Sequence, residues 1–356
     1  MARGERELDE AAADYVCVRI TDLTQWDLAV ARFDFDLTFA VLLMHPDGTV
    51  YHRYGGRGAE DASDYLSLKS LARLLSDTVG EHRAYCENPA PPAATAPQLA
   101  GELPVLQRKR QQGQKIDCVH CHTVNDAEHV DAVLGGRWRR DDLWQFPDPA
   151  RIGLTLDREY QAMVTAVAPD SPAAKAGIAM GDWLLSLGDQ RSVRTLSDVQ
   201  WALHQAPFGD ATLPVRFRSG KAEVTAKLEL RAGWKQCAPE DYAWRPYKWN
   251  LSPSAGFGGP ALDAAAKRDL GIDAAKFAFR VQYLVDWGEQ AHRGRAAKAA
   301  GLRKGDVVVS FAGKDDFRSM DHFHAWVALT GRAGAATEVV VRRGQQRLVL
   351  HYALPE

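Results

Sequence analysis

The chain is poor in cysteine, lacks any long apolar run and carries almost no net charge. Five cysteines in 356 residues are too few for a disulfide scaffold. No apolar stretch reaches the roughly 18 residues of a membrane span, and the opening MARGERELDEAAADY is charged, without the apolar segment of a secretion signal. Lys plus Arg (44) against Asp plus Glu (46) leaves a formal charge of -2, so no whole-chain field draws in nucleic acid or an anionic membrane. Phosphate loops of Walker or Rossmann spacing are missing, and so are Gly-Asp-Ser and Gly-x-Ser-x-Gly, which excludes a serine protease and leaves no catalytic residue to assign. What is present is ordinary: 46% apolar and 25% charged residues, the balance of a folded protein, in a chain long enough for two or three domains.

Two of the cysteines stand in the pentad Cys118-Val119-His120-Cys121-His122. C-x-x-C-H is the attachment pattern of c-type haem: the two thiols add to the vinyl groups and the adjacent imidazole binds the iron. Cys118, Cys121 and His122 are therefore the expected haem c site. A dithiol or disulfide pair, a zinc or copper site completed by His120 or His129, and a chance pattern are the competing readings. Haem attachment takes place outside the cytoplasm, so a periplasmic or otherwise exported location is expected, with a signal segment upstream of residue 1. His129 follows His122 by seven residues, which on one helix puts both on the same face and disfavours His129 as the opposite axial ligand. Met163, Met180, His45 and His52 are the remaining candidates. Arg137, Arg139 and Arg140 suit haem propionates, or form a solvated charge run.

Ahead of the pentad the pattern predicts a helix from Glu5 to Tyr15, an apolar strand Val16–Ile20, a buried strand Phe39–Met44, a turn at His45-Pro46-Asp47-Gly48 and a strand Thr49–Tyr54. Leu66, Leu68, Leu71, Leu74, Leu75 and Val79 then recur at helical spacing. This order resembles the back half of a thioredoxin-like domain over roughly residues 5 to 86. The C-x-x-C and cis-proline of that family have no counterpart here, so the resemblance implies a domain without dithiol activity. Cys17 is expected as a small hydrophobe in a core strand, and Cys86 beyond the closing helix. Asn88 to Pro104, rich in Pro and Ala, reads as a linker.

Beyond Arg151 the chain repeats. Ala176-Gly177-Ile178-Ala179-Met180-Gly181-Asp182-Trp183 returns as Ala300-Gly301-Leu302-Arg303-Lys304-Gly305-Asp306-Val307, an offset of 124 that continues through Val199/Phe323 and Leu203/Val327. Each copy ends in a strand pair about a basic turn, Arg218-Ser219-Gly220-Lys221 and Arg342-Arg343-Gly344-Gln345. With Ser171-Pro172-Ala173-Ala174 ahead of the first copy, these units resemble PDZ domains of the bacterial HtrA type. The resemblance implies that a peptide C-terminus adds as a strand and that backbone N–H groups of an apolar-Gly-apolar loop hold its carboxylate. The matching residues are Ile152, Gly153 and Leu154, then the receiving strand from Thr155, with Val199, Ala202 and Leu203 as the far wall. In the second copy the loop is Phe257-Gly258-Gly259-Pro260, where proline deletes a donor, so weaker binding or none is expected. Trp234, Tyr242, Trp244, Tyr247 and Trp249 lie between the copies and suit packing better than stacking on nucleic acid.

The expected fold class is α+β multidomain: a thioredoxin-like α/β domain (1–87), a linker with the C-x-x-C-H segment (88–149), a PDZ domain (150–232), an aromatic connector (233–254) and a second PDZ domain (255–356), each PDZ unit a partly open β-barrel with helices. The whole order resembles bacterial exported thioredoxin-like/PDZ (seleno)proteins. That resemblance implies a haem-binding electron-transfer or sensing protein whose PDZ units recruit a protein partner. The alternative is a peptide-binding scaffold or chaperone whose cysteine pair binds another metal or forms a disulfide.

Overall fold

Pro46-Asp47-Gly48 closes the first hairpin by local chemistry. Gly48 takes φ 95°, Asp47 Oδ1 accepts from the Thr49 N–H at 2.9 Å, and the His45 N–H donates to the Thr49 carbonyl at 2.8 Å. A glycine adopts that backbone without strain, and the strands on either side, β1 (Val41–Met44) and β2 (Val50–Tyr54), pair antiparallel. Helix α1 (Arg6–Ala12) precedes them and α2 (Leu68–Glu87) follows, capped by the Ser67 side chain accepting from the Ser70 N–H. Leu74 and Leu75 of α2 pack with Leu43, Tyr54 and α1. The computed structural model describes residues 6–34, 37, 39–56, 63–93, 95–245 and 251–356. They fall into two units, Met1–Gln236 and Cys237–Glu356.

Two expectations for this region are corrected. Val16–Ile20 forms no strand: Val16 is 93% exposed, and Cys17 is exposed rather than in a core. The cause lies just downstream, where Asp22 Oδ1 accepts from the Val119 N–H (2.9 Å) and the Leu23 N–H donates to the Val119 carbonyl (2.7 Å), drawing the chain to the C-x-x-C-H segment and away from the hairpin. The β1–β2 sheet therefore has two strands. Cys86 lies inside α2, in its last turn.

The described residues of the Pro/Ala stretch are irregular and exposed only to Gln98. From Leu99 it enters a 3-10 turn and then α3 (Pro104–Gln111), and Ala100 and Leu103 are buried with Leu28, Leu106, Val119, Val124 and Ala127. Helix α4 (Cys121–Leu134) completes this cluster; its buried Asp131 accepts from the Val105 N–H (3.1 Å) and from Arg108 (3.0 Å). The linker reading thus fails for its second half, because those apolar side chains find a core.

The first repeat builds β3 (Leu154–Leu156), β4 (Val164–Val167), α5 (Pro172–Lys175), β5 (Trp183–Leu187), α6 (Leu196–Gln205), β6 (Ala211–Ser219) and β7 (Ala222–Leu230). β3 pairs with β4, and β5, β6 and β7 form an antiparallel sheet around a core of Ile152, Leu184, Val199, Leu203 and Phe217. The A-G-x-x-x-G-D turn has a local cause. Gly177 and Gly181 take φ 83° and 91°, and the buried Asp182 Oδ2 accepts from the Ala179 N–H at 2.9 Å.

The second unit contains α7 (Pro239–Tyr242), β8 (Phe257–Gly258), α8 (Ala264–Asp269), β9 (Phe279–Arg280), β10 (Tyr283–Leu284), α9 (Ala291–Ala299), β11 (Val307–Phe311), α10 (Met320–Thr330), β12 (Ala336–Arg343) and β13 (Gln346–Ala353). Its four-stranded sheet runs β13-β12-β11-β9 and β8 pairs with β10, over a core in which Phe257, Phe279, Phe311 and Phe323 meet ring to ring. The turn chemistry recurs: Gly301 and Gly305 take φ 95° and 91°, and Asp306 Oδ2 accepts from the Arg303 N–H at 2.9 Å. Of the connector aromatics, Trp234 donates from Nε1 to the Pro207 carbonyl (2.9 Å) and packs on the first core, and Tyr242 is buried in the second unit. Tyr247 and Trp249 lie outside the described residues. No helix among the described residues is long and apolar enough to cross a membrane.

Candidate functional site

The candidate site is the edge of β3. Gly153 O accepts from the Ala168 N–H and the Asp157 N–H donates to the Met163 carbonyl, so the intervening alternation turns the main-chain groups of Leu154 and Leu156 away from β4. Among the described residues β3 pairs with β4 alone. An edge of this kind accepts an added strand. At its far end the Tyr65 hydroxyl donates to the Leu156 carbonyl at 3.4 Å, and Gln161 donates to the Tyr65 carbonyl at 2.7 Å. Arg73 of α2 meets Glu159 (3.3 Å) and lies over the Tyr160 ring (3.9 Å), fixing the β3–β4 loop.

The loop ahead of this edge differs from expectation. Asp148 starts a 3-10 turn, Pro149–Ile152, and Gly153 closes it at φ 86°. The Arg151 N–H donates to the Asp148 carbonyl and the Gly153 N–H to the Ala150 carbonyl. Ile152-Gly153-Leu154 therefore does not present successive open donors, because the turn uses the glycine's own. Thr155 is exposed on β3.

Val199 and Leu203 are fully buried in the core. The helical phase decides this. Leu196, Val199 and Leu203 form the stripe facing the core, which leaves Ser197, Gln200, Trp201 and His204 on the other side of α6. There Phe146 stacks on His204 with ring centroids 4.2 Å apart, and the Arg53 guanidinium lies 3.9 Å over Trp201. A cavity of about 20 Å³, room for about one water, remains among Phe33, Arg53, Phe146, Ser197 and Gln200.

β2 locks the start of α6. His52, fully buried, reaches Asp198 Oδ2 with Nδ1 (2.8 Å) and Glu81 Oε2 with Nε2 (3.0 Å). The Arg53 N–H donates to Asp198 Oδ1 at 2.9 Å, and the Thr195 hydroxyl donates to the Arg53 carbonyl. Burial alone lowers an imidazole's pKa, but the hydrogen bonds and charges of Asp198 and Glu81 outweigh it and push His52 up to about 9. With both nitrogens held by carboxylates, His52 is no axial ligand for iron. Nothing in sequence pointed to this triad, since its members are 29 and 146 residues apart.

The C-x-x-C-H residues open α4. Cys118 is exposed, Val119 buried, His120 the N-cap, Cys121 the first helical residue, and His122 half-buried beside it. Burial, with the nearby His120, lowers the His122 pKa and favours the neutral imidazole; the two rings are 5.6 Å apart. His129 packs edge-on against Trp138. Arg137 donates to the Asp131 carbonyl (3.2 Å) and Arg139 pairs with Asp142 (3.9 Å). Met180 is 76% exposed, and Met163 bridges to Trp183 at the edge of β5.

Residues 163–215 match the PDZ domain family. The match spans β4, α5, β5, α6 and half of β6, so the chain contains a PDZ domain. No curated protein matches the chain. Among solved structures, an HtrA-type protease, AlgW with decapeptide, is similar at 15% identity and a TM-score of 0.23, over 40% of this chain and 41% of that one. The chain thus spans less than half the length of that protease.

Proposed function

We propose that the chain is a peptide-binding scaffold whose first PDZ domain takes an extended peptide onto the β3 edge, where the peptide displaces the Tyr65 hydroxyl from the Leu156 carbonyl. The observation that carries this reading is the outward-facing main chain of Leu154 and Leu156, which offers the ladder bonds of strand addition. The test is direct binding of peptides with free C-termini to the full chain by fluorescence anisotropy. A bound peptide should lose affinity when its backbone is N-methylated at alternate residues. If no peptide of a C-terminal library binds, or if N-methylation changes nothing, the reading fails. Loss on C-terminal amidation would show that the peptide carboxylate contributes to binding. The recurrence of β5, α6 and β7 as β11, α10 and β13 supports a second PDZ unit over 255–356, with weaker binding because Pro260 lacks an N–H.

A second function, haem c attachment, is favoured by one observation: a half-buried His122 directly beside Cys121 at the start of α4, with the Cys118 thiol exposed. Cys118 and Cys121 would hold the porphyrin and His122 the iron; the bound group would supply one-electron transfer or sensing, in an exported protein. Zinc or copper is the alternative occupant. Co-expression with a haem-attachment system, followed by a pyridine haemochrome spectrum, decides. A colourless protein, or a haem band surviving Cys118→Ser with Cys121→Ser, refutes this reading.

A further inference from the structure

The closing turn of the hairpin and the end of α2 meet in a cluster that neither proposed function uses. His82 and Cys86 stand four residues apart on one face of α2, and His45, at the end of β1, lies across from them. One nitrogen of each imidazole and the Cys86 Sγ lie within 4.8 Å of one another. We propose that His45, His82 and Cys86 bind a single Zn²⁺ ion.

Three features support this. The donor set, two imidazoles and one thiolate, is one that zinc takes, and three protein ligands leave a fourth tetrahedral position for water or an added group. The imidazoles are oriented as metal-bound histidines are, each with its Nδ1 tied to an outer partner. Nδ1 of His45 lies 3.0 Å from Asp47 Oδ2, and Nδ1 of His82 lies 3.0 Å from the Tyr51 hydroxyl. Nε2 of His82 sits 3.5 Å from the thiol sulfur. The outer partners are themselves fixed. Tyr85 donates to Asp47 Oδ2 at 2.6 Å and the Thr49 N–H donates to Asp47 Oδ1 at 2.9 Å. The His45 and Tyr85 rings pack 5.0 Å apart. Finally, both histidines are half-buried while Cys86 is exposed, so an ion can enter from solvent.

The site is independent of the pentad, and the experiment keeps them apart. The full chain carrying Cys118→Ser and Cys121→Ser is stripped with chelator and titrated with Co²⁺ alone. One equivalent should bind, with the intense visible bands of tetrahedral cobalt and a near-ultraviolet thiolate-to-cobalt band, and one equivalent of Zn²⁺ should bleach both. Cys86→Ser in that background should abolish the thiolate band; the residue is exposed, and circular dichroism should show an unchanged fold. Asp47→Asn, which touches no metal, should weaken Zn²⁺ binding by about tenfold to a hundredfold. A thiolate band that survives Cys86→Ser, or its absence from the starting variant, overturns the proposal.

Discussion

Replacing His52 with asparagine tests whether a buried charge holds the hairpin to the PDZ domain. In the folded protein the imidazole lies between Asp198 and Glu81 and its pKa is raised from 6.5 to about 9. One pKa unit corresponds to about 1.36 kcal/mol, so the shift corresponds to about 3 kcal/mol of stability. The folded state holds this proton more tightly than the unfolded chain does. The contribution is therefore complete below about pH 6.5, declines between about 6.5 and 9, and is gone above that. Lys235 acts in the opposite sense: burial lowers its ammonium to about 8, so stability rises with pH from about 8 to its ordinary value. Subtraction of the two proteins' curves removes that contribution. Glu81 is pulled up by burial but held below its ordinary value by His52 and Arg194, so it titrates on the acid side, outside this window. The assay is urea unfolding of wild type and His52→Asn at intervals from pH 6 to 9.5. The difference in unfolding free energy should be largest at pH 6 and shrink by about 3 kcal/mol by pH 9.5. Parallel curves would refute the reasoning, since they would mean that folding does not raise the His52 pKa.

Asp182→Ala should cost about 0.5 to 1.5 kcal/mol in urea unfolding, because the Ala179 N–H loses its buried acceptor. Asp306→Ala should cost more, by about 0.5 to 1 kcal/mol, since Asp306 also holds the partly exposed Arg343 through two bonds of 2.8 and 2.9 Å; equal losses would refute this ranking. Tyr65→Ala should raise the affinity of a bound peptide several-fold by clearing the far end of the β3 edge, and unchanged affinity in anisotropy titrations would show that the peptide does not reach Leu156.

The elements legible in sequence are those whose causes lie within a few residues. The Pro46-Asp47-Gly48 turn closes on Thr49, α2 follows its leucine periodicity, and each A-G-x-x-x-G-D turn is tied by its own aspartate to a backbone N–H three residues before it. The repeat could be read because this chemistry occurs twice. Tertiary structure decided the rest. Val16–Ile20 has the alternation of a strand, yet strand formation needs a neighbour, and Asp22 and Leu23 commit the chain to Val119 instead. The pattern marks Val199 and Leu203 as apolar helix positions, but which face of α6 meets the core depends on sheets formed elsewhere in the chain. The Tyr65 contact with Leu156, the His52 triad and the meeting of His45 with His82 and Cys86 join residues 29 to 146 positions apart. Such pairs leave no spacing to read, because their distances are set by packing and not by the period of any helix or strand.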